Sequence, residues 1–341
     1  MKRFLLPAIA ALSLAFAAST TVGAQTTAPP PSTGSGSMSG AGSMSGSGSM
    51  SGAGQMSGAM TDNNKMSAMH APPAILSIET DNIKPYERVP YDKVAAEYTP
   101  VAMKAKLPGT VIAMESLSGT PRAQFLFAYD SFQDMQKMED MIEKNTALTG
   151  QFNALDAREG AYVTEVHTVI WHYRDDLSNN AANADVPHCR YWETITFHIK
   201  PGHDEQFEGL MKTVQATYLK IGANIPWVTY ESEMGASDTY NVFVPMKSLK
   251  EEDEGLARDK TFMDALGSEG MHKMDDVARD AYASVEDTLW EVNGKASYVP
   301  KEWLTMNPDL WAPKSVAPAA KTTTGMTTTP AMKPAPKPPT Q

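Results

Sequence analysis

The tripeptide Ile-Lys-Pro stands at 83–85 and again at 199–201, about 116 positions apart, and more of the chain repeats at the same offset. Glu115-Ser116 falls on Glu231-Ser232, Gly119 on Gly235 and Phe127 on Phe243. Tyr91, Val94 and Tyr98 fall on Phe207, Leu210 and Val214, apolar on apolar. Further along, DAREGAY (156–162) resembles VARDAY (277–282) and Trp171 resembles Trp290, with an offset roughly three to five residues larger. Matches held in one register amount to an internal duplication. Two copies of about 110 residues make two small domains, not a solenoid.

The second copy shows the element pattern more clearly. In RYWETITFHI (190–199), Ile195, Phe197 and Ile199 alternate with Trp192, Thr194, Thr196 and His198, which is the period of a strand. Pro201-Gly202 stops it. Residues 203–222 place Phe207, Leu210, Met211, Val214, Tyr218 and Ile221 at helical spacing behind an acidic first turn. Residues 227–234 and 239–245 read as a hairpin. A helical stretch over 248–280, broken near LGSEGM, and a strand over 283–292 complete the copy. The first copy repeats the order: strand 74–83, helix 88–106 with a kink or early end at Pro100, strands 110–117 and 123–129, helix 131–149, strand 161–173. This is β-α-β-β-α-β, the ferredoxin-like unit. Each four-stranded sheet carries helices on one face, so its open face needs a cover, and the second sheet supplies one. The expected fold class is α+β: two tandem ferredoxin-like units packed sheet to sheet as an α+β barrel.

The ends of the chain are of a different kind. Lys2 and Arg3, the apolar run Leu5 to Ala18, and Val22-Gly23-Ala24 have the form of a secretory signal peptide over 1–24. Residues 25–72 are a Gly/Ser/Met linker expected to be disordered, and 313–341 a Pro/Thr/Lys tail of the same kind. The first unit spans 73–178, a connector 179–187, the second unit 188–294, and an extension at 295–312 is expected to dock on the core. The chain carries −11 formal charges. Lys2, Arg3 and Lys65 before the folded part and four lysines after it, against Asp62, leave about −17 on the folded part. Such a surface repels phosphate backbones and anionic headgroups, which argues against nucleic acid as a partner. No apolar run after the signal is long enough to span a bilayer. The protein is therefore expected to be exported, periplasmic or secreted. The lone Cys189 has no internal disulfide partner.

The strand-to-helix junction IKPGHDEQFEGLM (199–211) resembles that of the antibiotic-biosynthesis-monooxygenase-like group in the dimeric α+β barrel superfamily. The resemblance covers about 73–294 in topology and only this junction as a motif. It implies a barrel made here by tandem fusion, a monomer with an internal pseudo-dimer. It also implies a range of activities that includes cofactor-independent oxygenases and haem proteins. The motif is structural, so it brings no catalytic residues with it.

Candidate site residues come from the strand faces. Trp192, Thr194, Thr196 and His198 should look into the barrel, where the first copy reads Leu76, Ile78, Thr80 and Asn82. One half-barrel is thus expected to be a pocket and the other filler, with apolar walls and a few polar groups, the form of a small-molecule site. His198 is a candidate acid/base or axial haem ligand, against the plainer reading of a solvated strand end. His167 and Trp171 share a face of the strand over 161–173, whereas His167 and His172 face opposite sides and do not make a metal pair. Glu231, repeated from Glu115, is a second candidate for catalysis, against a solvated strand-end carboxylate. No metal site is expected in the folded part, and haem is the only cofactor brought into question. Met38, Met44, Met50 and Met56 recur every six residues in the linker and are soft ligands suited to Cu(I). The leading expectation is binding of a small apolar or aromatic ligand, with oxygenase-type chemistry open. The alternatives are a non-catalytic interaction module of the cell envelope and copper capture by the Met string.

Overall fold

The computed structural model describes residues 71–312. The expected signal peptide, the Met string and the Pro/Thr/Lys tail lie outside the described residues. Strands β1 (Ile75–Ile83), β2 (Thr110–Ser116), β3 (Arg122–Tyr129) and β4 (Val163–Tyr173) alternate with helices α1 (Arg88–Ala105), α2 (Phe132–Glu143) and α3 (Thr146–Glu159). Then come β5 (Tyr191–Ile199), α4 (Asp204–Lys220), β6 (Val228–Met234), β7 (Thr239–Met246), α5 (Lys250–Asp280) and β8 (Tyr282–Val292). Two short helices, α6 (Lys301–Met306) and α7 (Pro308–Trp311), end the described chain. Among the described residues the fold is thus α+β, with eight strands and seven helices.

The strands close a single antiparallel barrel in the order β1-β3-β2-β8-β5-β7-β6-β4. The expected stacking of one sheet on the other is corrected here. The two four-stranded segments meet edge to edge, through β2 on β8 (Ser116 opposite Trp290) and β4 on β6 (Tyr173 opposite Tyr230). Edge pairing covers each open face by curling it inward and also satisfies the backbone groups that an exposed edge would leave unpaired.

The repeated Ile-Lys-Pro has a structural meaning at each site. A bulge breaks the β1–β4 register between Asn82 and Ile83, and another breaks β5–β8 between His198 and Ile199. Ile83 and Ile199 are buried. Lys84 Nζ donates to Ala161 O at 2.7 Å, and Lys200 Nζ donates to Arg279 O at 2.9 Å and Asp280 O at 3.2 Å. Each lysine thus sits at the carboxyl end of the helix before the last strand of its half, where a cation suits the helix dipole. The proline ends the strand.

The ladders also adjust the offset. Ile78 lies opposite Leu126, and its counterpart Thr194 lies opposite Phe243, one residue later than the sequence match of Phe127 with Phe243 implies. The extra residue falls in the β6–β7 turn. Phe127 and Phe243 therefore point to opposite faces.

Two helix expectations change. Pro100 is exposed and lies inside α1, which continues to Ala105. The single helix expected over 131–149 is two, because Asn145 caps α3 by accepting from Leu148 N at 3.1 Å. The break expected near LGSEGM is at Gly267, with φ +72 and ψ 176, inside α5.

Three packing regions result. Outside the second half, Ile195, Phe197 and Ile199 are buried against Phe207, Leu210 and Met211 of α4 and Phe262 of α5, as the alternation requires. Inside the barrel, Met114, Trp171, Trp192, Phe243 and Trp290 belong to one cluster that also takes Trp303 and Trp311 of the closing helices. Outside the first half the core is divided into two smaller clusters, one around Tyr91 and Phe125 and one around Leu107 and Met138.

Candidate functional site

Period-two alternation carries the inward phase of every strand from one end of the barrel to the other, and its chemistry changes on the way. At one end the inward residues are Leu76, Ile112, Leu126, Trp192, Val228 and Phe243. At the other they are Thr80, Gln124, His167, Thr196, His198 and Asn241. The apolar end opens into a cavity of about 710 Å³, walled by those six side chains and Tyr230, and covered by Ala181, Ala184 and Trp303. Phe243 stands edge-on to Trp192 (centroids 6.0 Å, 81°) and to Tyr230 (5.8 Å, 87°), making an aromatic corner. The Tyr230 hydroxyl donates to Pro73 O at 3.0 Å, and full burial pushes its pKa well up, so it stays a neutral phenol. The rim carries Asp130, Asp134, Lys137 and Glu302, with Lys137 held by Asp134 at 2.7 Å.

The cavity draws walls from both halves, which corrects the expectation of one pocket half and one filler half. It also corrects the grouping of Trp192 with His198. Six residues of strand rise place them about 20 Å apart, at opposite ends of the barrel. Trp192 lines the cavity; Thr194, Thr196, His198, His167 and Trp171 do not. Thr194 accepts from Trp290 Nε1 at 2.8 Å in the middle layer, where Trp171 and Met114 are also buried. Arg122 spans to the polar end, donating to Thr288 at 2.8 Å and lying 5.4 Å from the centroid of the Trp290 ring. His198 is half-buried, with Nδ1 3.2 Å from Thr239 Oγ1, and His167 is exposed. Glu231 is on the outer face of β6, where Arg174 donates to it and His172 Nε2 lies 3.5 Å away. Its counterpart Glu115 is likewise held by Arg88 and Asn293. Burial pushes the Cys189 thiol up to about 12. His198 does not reach the cavity, so the arrangement does not fit a haem bound there through His198. Among the described residues no group of three or more His, Cys, Asp or Glu is placed to hold a metal ion.

Tyr230, Phe243 and Trp303 were not picked out from the sequence. Reading the inward phase on β6 and β7, as on β5, finds the first two. Trp303 comes from a helix with no periodic link to the barrel.

A second feature lies under the helices of the first half. Glu79, Asp81 and Glu159 are carboxyl groups at positions where the second half has Ile195, Phe197 and, on the last helix, Ala278. Asp81 accepts from the Tyr91 hydroxyl at 2.6 Å, and Glu159 from that of Tyr98 at 2.9 Å. Burial pushes Glu79 up to about 7 and Glu159 up to about 8, reinforced in both by the Asp81 charge, and raises Asp81 as well. These groups interrupt the apolar packing there.

No protein-family model matches the chain, and no curated protein matches it. Among solved structures it is similar to a monooxygenase candidate from Fusobacterium nucleatum, at 13% identity and TM-score 0.43, covering 66% of this chain and 94% of that one. It is similar to an anthrone oxidase-like protein at 15% identity and TM-score 0.42, covering 64% and 90%. A chlorite dismutase from Candidatus Nitrospira defluvii aligns at 11% identity and TM-score 0.39, covering 72% and 99%. No residue role is carried across from these likenesses.

Proposed function

We propose that this chain is an exported binding protein that holds a small apolar or aromatic ligand in the apolar end of its barrel. The observation that carries the reading is the cavity beside Trp192. A volume of about 710 Å³ lies in the range of small-molecule sites, and its aromatic corner and charged rim suit a ligand that buries its body and leaves its edge at the mouth. A barrel built only as an interaction module would need no such space. The matching bulges, lysine contacts and strand orders support a tandem fusion of two ferredoxin-like units that makes a monomer with an internal pseudo-dimer. Oxygenase-type chemistry, which the family resemblance implies, would act on the ligand in this cavity, and oxygen uptake in the ligand's presence tests that step.

The binding test is titration with a neutral fluorescent probe, N-phenyl-1-naphthylamine. One equivalent should bind, and Ala128→Phe, which places a ring at the wall of the cavity, should weaken binding about tenfold or more while the circular dichroism spectrum stays native. Probe binding unchanged by Ala128→Phe would place the ligand elsewhere and sink the reading. Export is tested separately, by the amino terminus of protein recovered from outside the cytoplasm, expected at or near Gln25.

A further inference from the structure

We infer that the apolar cavity is a docking site for a segment of the same chain, residues 65–70, and that a ligand binds by displacing the side chains of Met66 and Met69. The inference concerns the regulation of the ligand site proposed above and rests on that reading. The point of entry carries it. The chain reaches the described residues at Ala71, and Ala71, Pro72 and Pro73 line the cavity together with Leu76, Trp192 and Phe243. Two hydrogen bonds fix this entry. The Tyr230 hydroxyl donates to Pro73 O at 3.0 Å, and Tyr173 N donates to Ala74 O at 3.0 Å. A residue spans at most about 3.6 Å, so chain length alone keeps the Met69 backbone within about 7 Å of Ala71 and the Met66 backbone within about 18 Å.

Composition selects the side chains. Residues 25–70 hold seven methionines and no Leu, Ile, Val, Phe, Tyr or Trp. Methionine is therefore the only large apolar side chain this segment can bury. Its thioether is unbranched and polarisable, fills irregular spaces and packs well against aromatic rings. The cavity wall supplies three such rings, Trp192, Tyr230 and Phe243. Charge fits as well. Lys65, beside Met66, is the only Lys or Arg in residues 25–70. The rim carries Asp130 and Glu302, while its own Lys137 is held by Asp134. A segment tethered at the mouth also has a high effective concentration there, so a free ligand has to compete with it.

The test uses the full-length protein labelled with 13C-methyl methionine. The methyl resonances of Met66 and Met69 should lie upfield of those of methionine in a short peptide, through the ring currents of the three aromatic walls. Saturation with N-phenyl-1-naphthylamine should return them to the peptide position. Met66→Ser combined with Met69→Ser should tighten probe binding about fivefold, because the binding-competent fraction rises. Met66→Leu combined with Met69→Leu should keep the affinity near wild type. Methyl resonances at the peptide position, with equal probe affinity in the serine variant, would overturn the docking and leave the cavity reading standing. Upfield shifts that grow with protein concentration would assign the site to the segment of a second copy and overturn it too. If neither wild type nor the serine variant binds the probe, the ligand reading fails, and the methyl shifts by themselves decide the docking.

Discussion

Tyr86 and Gly202 occupy matching places just after the two Ile-Lys-Pro tripeptides, and both take the left-handed backbone, with φ +70 and +82. Glycine adopts that conformation freely, whereas a tyrosine meets its own Cβ against the backbone. The Tyr86 side chain is fully exposed and offers no packing in return. Tyr86→Gly should therefore raise the Tm by about 2 °C, read by calorimetry; a lower Tm would mean that the entropy glycine adds to the unfolded chain outweighs the relief of strain. The adjacent lysines are a second residue-scale device. Lys200→Met should cost about 1 kcal/mol in urea denaturation, from its two carbonyl contacts at the end of α5. An unchanged midpoint would reduce the repeated lysine to a surface charge.

At the scale of elements, β1, α1 and α3 enclose Glu79, Asp81, Glu159 and Asp156 with the hydroxyls of Tyr91 and Tyr98. The adjacent cations are engaged elsewhere: Arg158 pairs with Glu97, and Lys84 bonds Ala161 O. The sign of the pH effect follows from the direction of the shifts. Folded pKa values of about 7 for Glu79 and about 8 for Glu159 stand above the ordinary value of 4.5. The folded state then holds more protons than the unfolded chain between those limits, so stability falls as pH rises from about 4.5 to 8. Below that window both states are protonated and these groups carry no penalty. Thermal unfolding should accordingly give a higher Tm at pH 5 than at pH 8. Glu159→Gln should flatten that slope while keeping most of the packing. A Tm that climbs between pH 5 and 8 would contradict the burial of these carboxyls.

For the whole molecule, closure is the decisive feature. The first half on its own would expose β2 and β4 as unpaired edges, and Leu76, Ile112 and Trp171 as an uncovered apolar face. Unpaired edges over an apolar face promote strand-to-strand association. Residues 71–178 alone should therefore run as dimers or larger species in size-exclusion chromatography with light scattering, and the full chain as a monomer. A monomeric, folded half would show that the sheet is covered in some other way.

The sequence by itself determined the order of strands and helices, the strand ends at the two Ile-Lys-Pro tripeptides, and which side of β1 and β5 points inward. These follow from alternation, helical spacing and the repeated Ile-Lys-Pro, all of which act over a few residues. It also indicated the outer core of the second half, where Ile195, Phe197 and Phe207 keep one period without interruption. Only the tertiary structure decided that the sheets join by their edges, and that the two ends of the barrel differ in polarity. It alone placed Trp192 at the cavity with Tyr230 and Phe243, far from His198. Period two names the face of a strand but not the position along the barrel at which neighbouring strands meet. That position is set by ladder registers and by the closing pairs β2–β8 and β4–β6, which join residues more than a hundred positions apart for the first pair. The cover over the cavity has the same origin, because Trp303 reaches it through long-range packing that no local pattern encodes.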